Sequence, residues 1–90
     1  MPVLLVSYEL KNKARDYTQF FNAIKSNSTT WMHYLGNTWV VESHLNATQY
    51  AQKLYPFFET TDFLLVVRIT RERQGWLPKE AWDWFNKVTY

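Results

Sequence analysis

Thr30-Trp31-Met32-His33-Tyr34-Leu35-Gly36-Asn37-Thr38-Trp39-Val40-Val41 is the stretch on which the fold turns. Thr, Trp, Tyr and Val favour a pleated backbone, and Gly-Asn between two such runs is a tight-turn signal. The segment therefore reads as a β-hairpin. A helical spacing flanks it on each side. Upstream, Tyr17, Phe20, Phe21 and Ile24 recur at i, i+3, i+4 and i+7, one face of a helix. Asp16 near the start and Lys25 near the end suit the helix dipole, and Ser26 to Thr29 is a polar connection. Downstream, Asn46-Ala47-Thr48-Gln49 resembles a capping box. Behind it, Ala47, Tyr50, Ala51 and Leu54 repeat the spacing until Pro56 ends or kinks the helix.

Outside the helices lie two continuous apolar runs, Val3 to Tyr8 and Phe63 to Thr70. Neither alternates, so each reads as a strand buried on both faces, the last the strongest in the chain. The order is β-α-β-β-α-β, an α+β chain with a ferredoxin-like sandwich. The first and last strands are expected side by side in the middle of the sheet. The hairpin strands should lie outside them, with both helices on one face. Gln74-Gly75 breaks the last strand, and Leu77-Pro78 opens a short terminal helix, with Pro78 favourable in its first turn. That helix carries Trp82 and Phe85 on one side and Ala81, Trp84 and Val88 on others. Residues 1–90 read as a single domain without repeats, low-complexity segments or linkers.

Hydrophobic residues make up 47% of the chain and aromatics 19%, with five Trp, six Tyr and six Phe. A domain of this size buries somewhat over roughly 60% of its unfolded surface, too little to hide seventeen aromatics. Some of them, and the second face of a sheet apolar on both sides, need a cover. A second copy of the chain is the first candidate and the terminal helix the other, so a homodimer or higher oligomer is expected. Cysteine is absent, which removes disulfides and thiolate metal sites and fits a cytoplasmic protein. The N-terminal run lacks the basic region of a signal peptide and meets Glu9 too soon for one. No apolar run approaches the ~20 residues of a membrane span, so no membrane partner is expected. Asn27-Ser28-Thr29 and Asn46-Ala47-Thr48 match the glycosylation pattern but carry no weight without secretion.

The net charge of +2 does not announce bulk nucleic-acid binding. Its distribution says more. Lys11, Lys13 and Arg15 follow the first apolar run, and Arg68, Arg71 and Arg73 end or follow the last. Each set is either a solvated loop or half of one basic surface.

The strand ending in Tyr8-Glu9-Leu10, then Arg15-Asp16-Tyr17, a small polar linker and Thr38-Trp39-Val40-Val41, resembles a known group. These are the small ferredoxin-fold proteins related to the small subunit of the CRISPR adaptation complex, including VapD-like toxins and SinR-like bacterial proteins. The SinR-like proteins are the nearest of these. The resemblance covers residues 2 to about 70 and loosely Trp76-Leu77-Pro78 to Trp84. It implies a homodimer whose sheets pack face to face. In nuclease-like relatives an acidic residue at the end of the first strand, usually Asp, is proposed to bind a divalent metal at the dimer interface. The matching position here is Glu9, whose carboxylate stands one methylene further out.

Site chemistry divides along the same lines. Glu9 is the only carboxylate at the tip of a buried strand. It is a solvated side chain, or one ligand of a Mg²⁺ that would need more oxygens. His33 and His44 are the only histidines, and His33, facing as Trp31 and Leu35 do, reads as a packing residue. Two glycines, Gly36 and Gly75, exclude a glycine-rich phosphate loop. The suggestive set is Trp31, Trp39 and Trp76 with Arg68, Arg71 and Arg73, joined by Lys11 and Lys13. Aromatic faces stack on bases and guanidinium groups hold phosphates. Arg68 interrupts an apolar strand, so it needs an anion, from Glu9 on the neighbouring strand or from a ligand.

Three functions follow. The first is a non-catalytic, homo-oligomeric module for a phosphate-bearing ligand: a nucleotide, a cyclic nucleotide signal or a short nucleic acid. By analogy with phage-encoded sponges that sequester immune nucleotides, it would serve a phage or a defence system. The second is a metal-dependent nuclease or toxin using Mg²⁺ at Glu9, and the third a protein-interaction module without ligand. More sequence supports a binder without cofactor than an enzyme.

Overall fold

A computed structural model describes residues 1–12 and 14–88. Its elements are β1 (Val3–Glu9), α1 (Thr18–Ser26), β2 (Thr30–Leu35), β3 (Thr38–Glu42), α2 (Ala47–Leu54), a 3-10 turn (Tyr55–Phe57), β4 (Phe63–Arg68) and α3 (Lys79–Lys87). The four strands form one antiparallel sheet in the order β2-β3-β1-β4.

Local signals set the helix ends. In α2, Asn46 Oδ1 accepts from the Gln49 amide at 2.8 Å and Gln49 Oε1 accepts from the Asn46 amide at 3.0 Å, the reciprocal box read from the sequence. Pro56 sits in the 3-10 turn that closes the helix, where its missing N–H costs least. In α1 the Asp16 carboxylate takes the Thr18 amide at 2.9 Å. At the far end the Asn27 and Ser28 side chains donate to the carbonyls of Ala23 and Ile24 in the last turn, at 2.8 and 2.6 Å.

Both helices lie on one face of the sheet, as their apolar stripes require. Leu4, Val6 and Tyr8 of β1 meet Phe20 and Ile24 of α1 and Tyr50 and Leu54 of α2 there, with Trp39, Val41, Leu64 and Val66 from the flanking strands. Tyr50 is wholly buried, its hydroxyl donating to Ile24 O at 3.0 Å and lying 2.9 Å from Ser28 Oγ. Burial pushes its phenol up to about 12, although the Ser28 hydrogen bond pulls the other way. The unfolded value is near 10, so the stability linked to this proton is complete below about pH 10 and is lost as pH rises toward 12. Two pH units correspond to about 2–3 kcal/mol. Tyr50→Phe should therefore shallow the fall of stability between about pH 10 and 12 in urea titrations, while costing about 1 kcal/mol at neutral pH. Burial also raises the Tyr8 phenol, so the slope should shrink rather than vanish.

The opposite face is covered in part by α3. Ala81, Phe85 and Val88 pack on Val3, Met32 and Val40, and Trp84 Nε1 donates to Thr30 Oγ1 at 3.0 Å. The terminal helix is thus one cover of the second face. It leaves Phe63, Leu65 and Val67 exposed at 62%, 58% and 38%.

Three expectations about the sheet are corrected. β4 pairs with β1, but it is an edge strand and an exposed one, and the central pair is β1 and β3. A run apolar on both faces does not distinguish a central strand from an edge whose outer face awaits a cover. The α2 crossover from β3 then lands β4 on the free side of β1. The second correction is Leu35. Between Met32 and Leu35 two residues of β2, His33 and Tyr34, oppose one of β3, Trp39, and this bulge returns Leu35 to the face of Met32. Its backbone condition is local, since His33 Nε2 lies 2.8 Å from Gly36 O while the ring stacks on Trp39 at 4.3 Å. The third is the Glu9–Arg68 pair. In the antiparallel register Glu9 faces Phe63 and Arg68 faces Leu4, so the two lie at opposite ends, about 17 Å apart along the strands.

Candidate binding cleft

Between the open face of the sheet, α3 and the chain leading into it lies a cleft of about 360 Å³. Its floor is Leu5, Met32 and Val40, and Ile69, Leu77, Trp82 and Phe85 form the wall. Tyr34, Leu35 and Thr38 border the hairpin side, and Arg68, Thr70, Glu72, Arg73 and Gln74 border the other. The size and the apolar floor with a few polar groups at the mouth are those of small-molecule sites.

The wall is built by short-range chemistry. α3 presents Trp82 and Phe85 at i and i+3, with ring centroids 5.7 Å apart. The Arg73 guanidinium lies 4.4 Å from the Phe85 ring centroid, and its Nη1 donates to Thr70 O at 3.3 Å. The cation is thereby held flat against the aromatic wall. Arg68 ends β4 at the mouth, exposed, with no carboxylate within ion-pair distance among the described residues. The sequence-based picture of a cation buried in a strand does not hold: the strand is an edge, and its last residue reaches solvent.

The expected residues separate into three places. Arg68 and Arg73 border the cleft, and Arg71 borders a shallow depression beside it with Arg68. Lys11 lies at the opposite end of β4, bonded to Glu9 Oε1 at 2.8 Å and placed over the Phe63 ring at 5.5 Å. Arg15 pairs with Glu59 at 3.3 Å. Lys13 lies outside the described residues. Lys11 and Arg15 do not converge with Arg68, Arg71 and Arg73, and the reason is geometric: each set follows a strand, and neighbouring antiparallel strands finish at opposite ends of the sheet.

The tryptophans separate as well. Trp39 belongs to the helix-side core, 3% exposed, with Nε1 donating to Tyr8 OH at 2.9 Å. Trp31 packs on it at 5.0 Å, beneath Lys25, on that same face. Trp76 is 97% exposed and does not border the cleft. The aromatics that do border it, Tyr34, Trp82 and Phe85, were outside the expected site. The i, i+3 spacing of Trp82 and Phe85 was the available signal.

Near Glu9 the polar groups serve the fold. Asp62 accepts from the Lys11 amide at 2.8 Å, the Glu59 amide at 3.1 Å and the Tyr17 hydroxyl at 2.9 Å, latching the loop after β1 to the turn before β4. Burial alone would raise the Asp62 carboxyl, but these donors and the charge of Arg15 hold it below its ordinary value. No group of three or more His, Asp or Glu side chains placed to hold a metal occurs among the described residues. Among them also, no helix is long and apolar enough to cross a membrane.

Compared with known proteins, the chain matches no family model, no curated protein and no solved structure.

Proposed function

We propose that this chain is a cytoplasmic, homo-oligomeric, non-catalytic binding module of ferredoxin-like βαββαβ fold, and that it takes a phosphate-bearing ligand in the α3 cleft. The ligand class is a nucleotide, a cyclic nucleotide signal or the end of a short nucleic acid. Kinship with the SinR-like group, and a sequestering role in a phage or a defence system, belong to the same proposal. Support for the fold reading is the order β2-β3-β1-β4 with α1 and α2 on one face. The observation that carries the functional reading is the pairing of an aromatic wall with cations at one mouth. Trp82 and Phe85 offer faces to a planar ring, while Arg73, fixed on Phe85, and Arg68 offer guanidinium groups to a phosphate beside it.

A thermal-shift panel tests this, using nucleoside mono- and triphosphates, cyclic dinucleotides, short oligonucleotides, free nucleosides and inorganic phosphate. The reading expects the melting temperature to rise with at least one member that carries both base and phosphate, and more than with nucleoside or phosphate alone. A flat panel would leave the interaction module without ligand as the better account.

A further inference from the structure

The two edges of the sheet differ. β2 is bulged, a device that spoils an edge for pairing. β4 has no bulge in its register with β1 and no proline or lysine between Phe63 and Arg68. The Ile69 amide donates to Val3 O at 2.9 Å, so by antiparallel alternation the odd-numbered residues of β4 address β1. The amides and carbonyls of Leu64, Val66 and Arg68 then point away from the sheet. Among the described residues, none of the backbone hydrogen bonds formed outside helices and sheet involves them. Phe63, Leu65 and Val67 stand exposed on the face beside this row.

We propose that β4 pairs antiparallel with β4 of a second copy, about a two-fold axis through Val66, so that one sheet runs through both. This rests on the homo-oligomeric part of the reading above and replaces face-to-face packing with edge pairing. Outward-facing residues must meet outward-facing residues, and only centring on Val66 engages all three. Leu64 then faces Arg68 of the partner subunit, Leu65 faces Val67 of the partner subunit, and Phe63 faces Ile69 of the partner subunit. Since Ile69 forms part of the cleft wall, Phe63 of the partner subunit extends that wall. The same operator lays the apolar row Phe63, Leu65, Val67 and Ile69 against its own copy. At the start of β4 the carboxylates are already paired, Glu9 with Lys11 and Glu59 with Arg15, so the apolar row and the outward backbone groups set the register. A foreign strand would meet the same backbone groups but has no such built-in match of the apolar row.

Sedimentation of the whole chain decides it. The wild type should sediment at twice 10.9 kDa at micromolar concentration. Val66→Pro removes the central outward N–H, a change an edge strand tolerates. Leu65→Lys sets an ammonium against Val67 of the partner subunit and leaves every backbone bond intact. Both should sediment as monomers with unchanged far-ultraviolet dichroism. Because the chain has no cysteine, a Leu65→Cys, Val67→Cys double variant reports the register: oxidation should give a covalent dimer, since two cysteines at i and i+2 of one strand cannot bridge to each other. A monomeric wild type overturns the pairing. So does a dimer that survives Val66→Pro but not Leu65→Lys, which would mean that sheet faces meet instead of edges. If Val66→Pro fails to fold, a dimeric Leu65→Lys or an uncross-linked cysteine variant overturns it. A monomer that keeps its nucleotide-induced thermal shift would sink the pairing and spare the ligand reading.

Discussion

Trp39→Ala should lower the melting temperature by roughly 15–30 °C, the largest loss expected from a single substitution in this chain. The side chain is 3% exposed and central to an aromatic cluster, with His33 stacked at 4.3 Å, Trp31 at 5.0 Å and Phe21 at 6.2 Å. Truncating a buried aromatic costs about 3–5 kcal/mol through lost burial and the cavity left behind. Here the Tyr8 hydroxyl also loses the indole N–H that it accepts at 2.9 Å. A domain of this length holds only about 5–13 kcal/mol in total, and each kcal/mol moves the midpoint by about 4–8 °C. Thermal melts followed by circular dichroism measure the effect. Trp39→Phe, which keeps a ring against His33, should lose about half as much. An unchanged midpoint in Trp39→Ala would place the indole on the surface and break the account of the helix-side core.

The second large effect is on binding. At a ligand concentration of a hundred times Kd, a bound ligand should stabilise the wild type by about 2.7 kcal/mol, or roughly 10–20 °C. Replacing both Arg68 and Arg73 by Met should remove most of that shift, because the phosphate then lacks both charged donors at the mouth. The variants should differ without ligand. Arg68→Met should be as stable as the wild type, since Arg68 is exposed and ion-paired with no carboxylate among the described residues. Arg73→Met should lose a little, because its guanidinium packs on Phe85. Glu9→Gln should leave the shift untouched, as Glu9 lies at the other end of the sheet. A full shift in the double arginine variant would move the site to Arg71 or to the Lys11–Arg15 cluster.

These residues also show what a sequence can say by itself. The hairpin, α1, α2 and its capping box were legible because each is decided within a few residues: a Gly36-Asn37 turn, an i, i+3, i+4 stripe, Asn46 and Gln49 reaching for each other. Strand position was not. Phe63 to Val67 is apolar on both faces whether it sits centrally or at an edge, and only the path of the chain chooses. Nor was the bulge that moves Leu35 across the sheet, since no glycine or left-handed residue marks it. The two basic clusters were expected to be able to converge because the strands they follow are neighbours, but those strands run antiparallel. Lys11 and Arg68 each belong to a strand end, and antiparallel pairing carries those ends apart. Arg68 and Arg73 were found by composition, whereas their aromatic neighbours Trp82 and Phe85 were visible only as a helix face.

The central claim is a place, the cleft beneath α3, and the side-chain resonances of the tryptophans report on it directly. Five indole N–H signals are available, of which Trp82 borders the cleft and Trp39 lies in the core on the opposite face. Titrating ¹⁵N-labelled protein with adenosine triphosphate and with a cyclic dinucleotide should shift the Trp82 signal saturably, together with the amides of Thr70, Arg73 and Met32, and leave the Trp39 signal in place. Saturable shifts centred on Trp31, Trp39 or Lys11 with Trp82 unmoved, or no saturable shift with either ligand, would contradict the account.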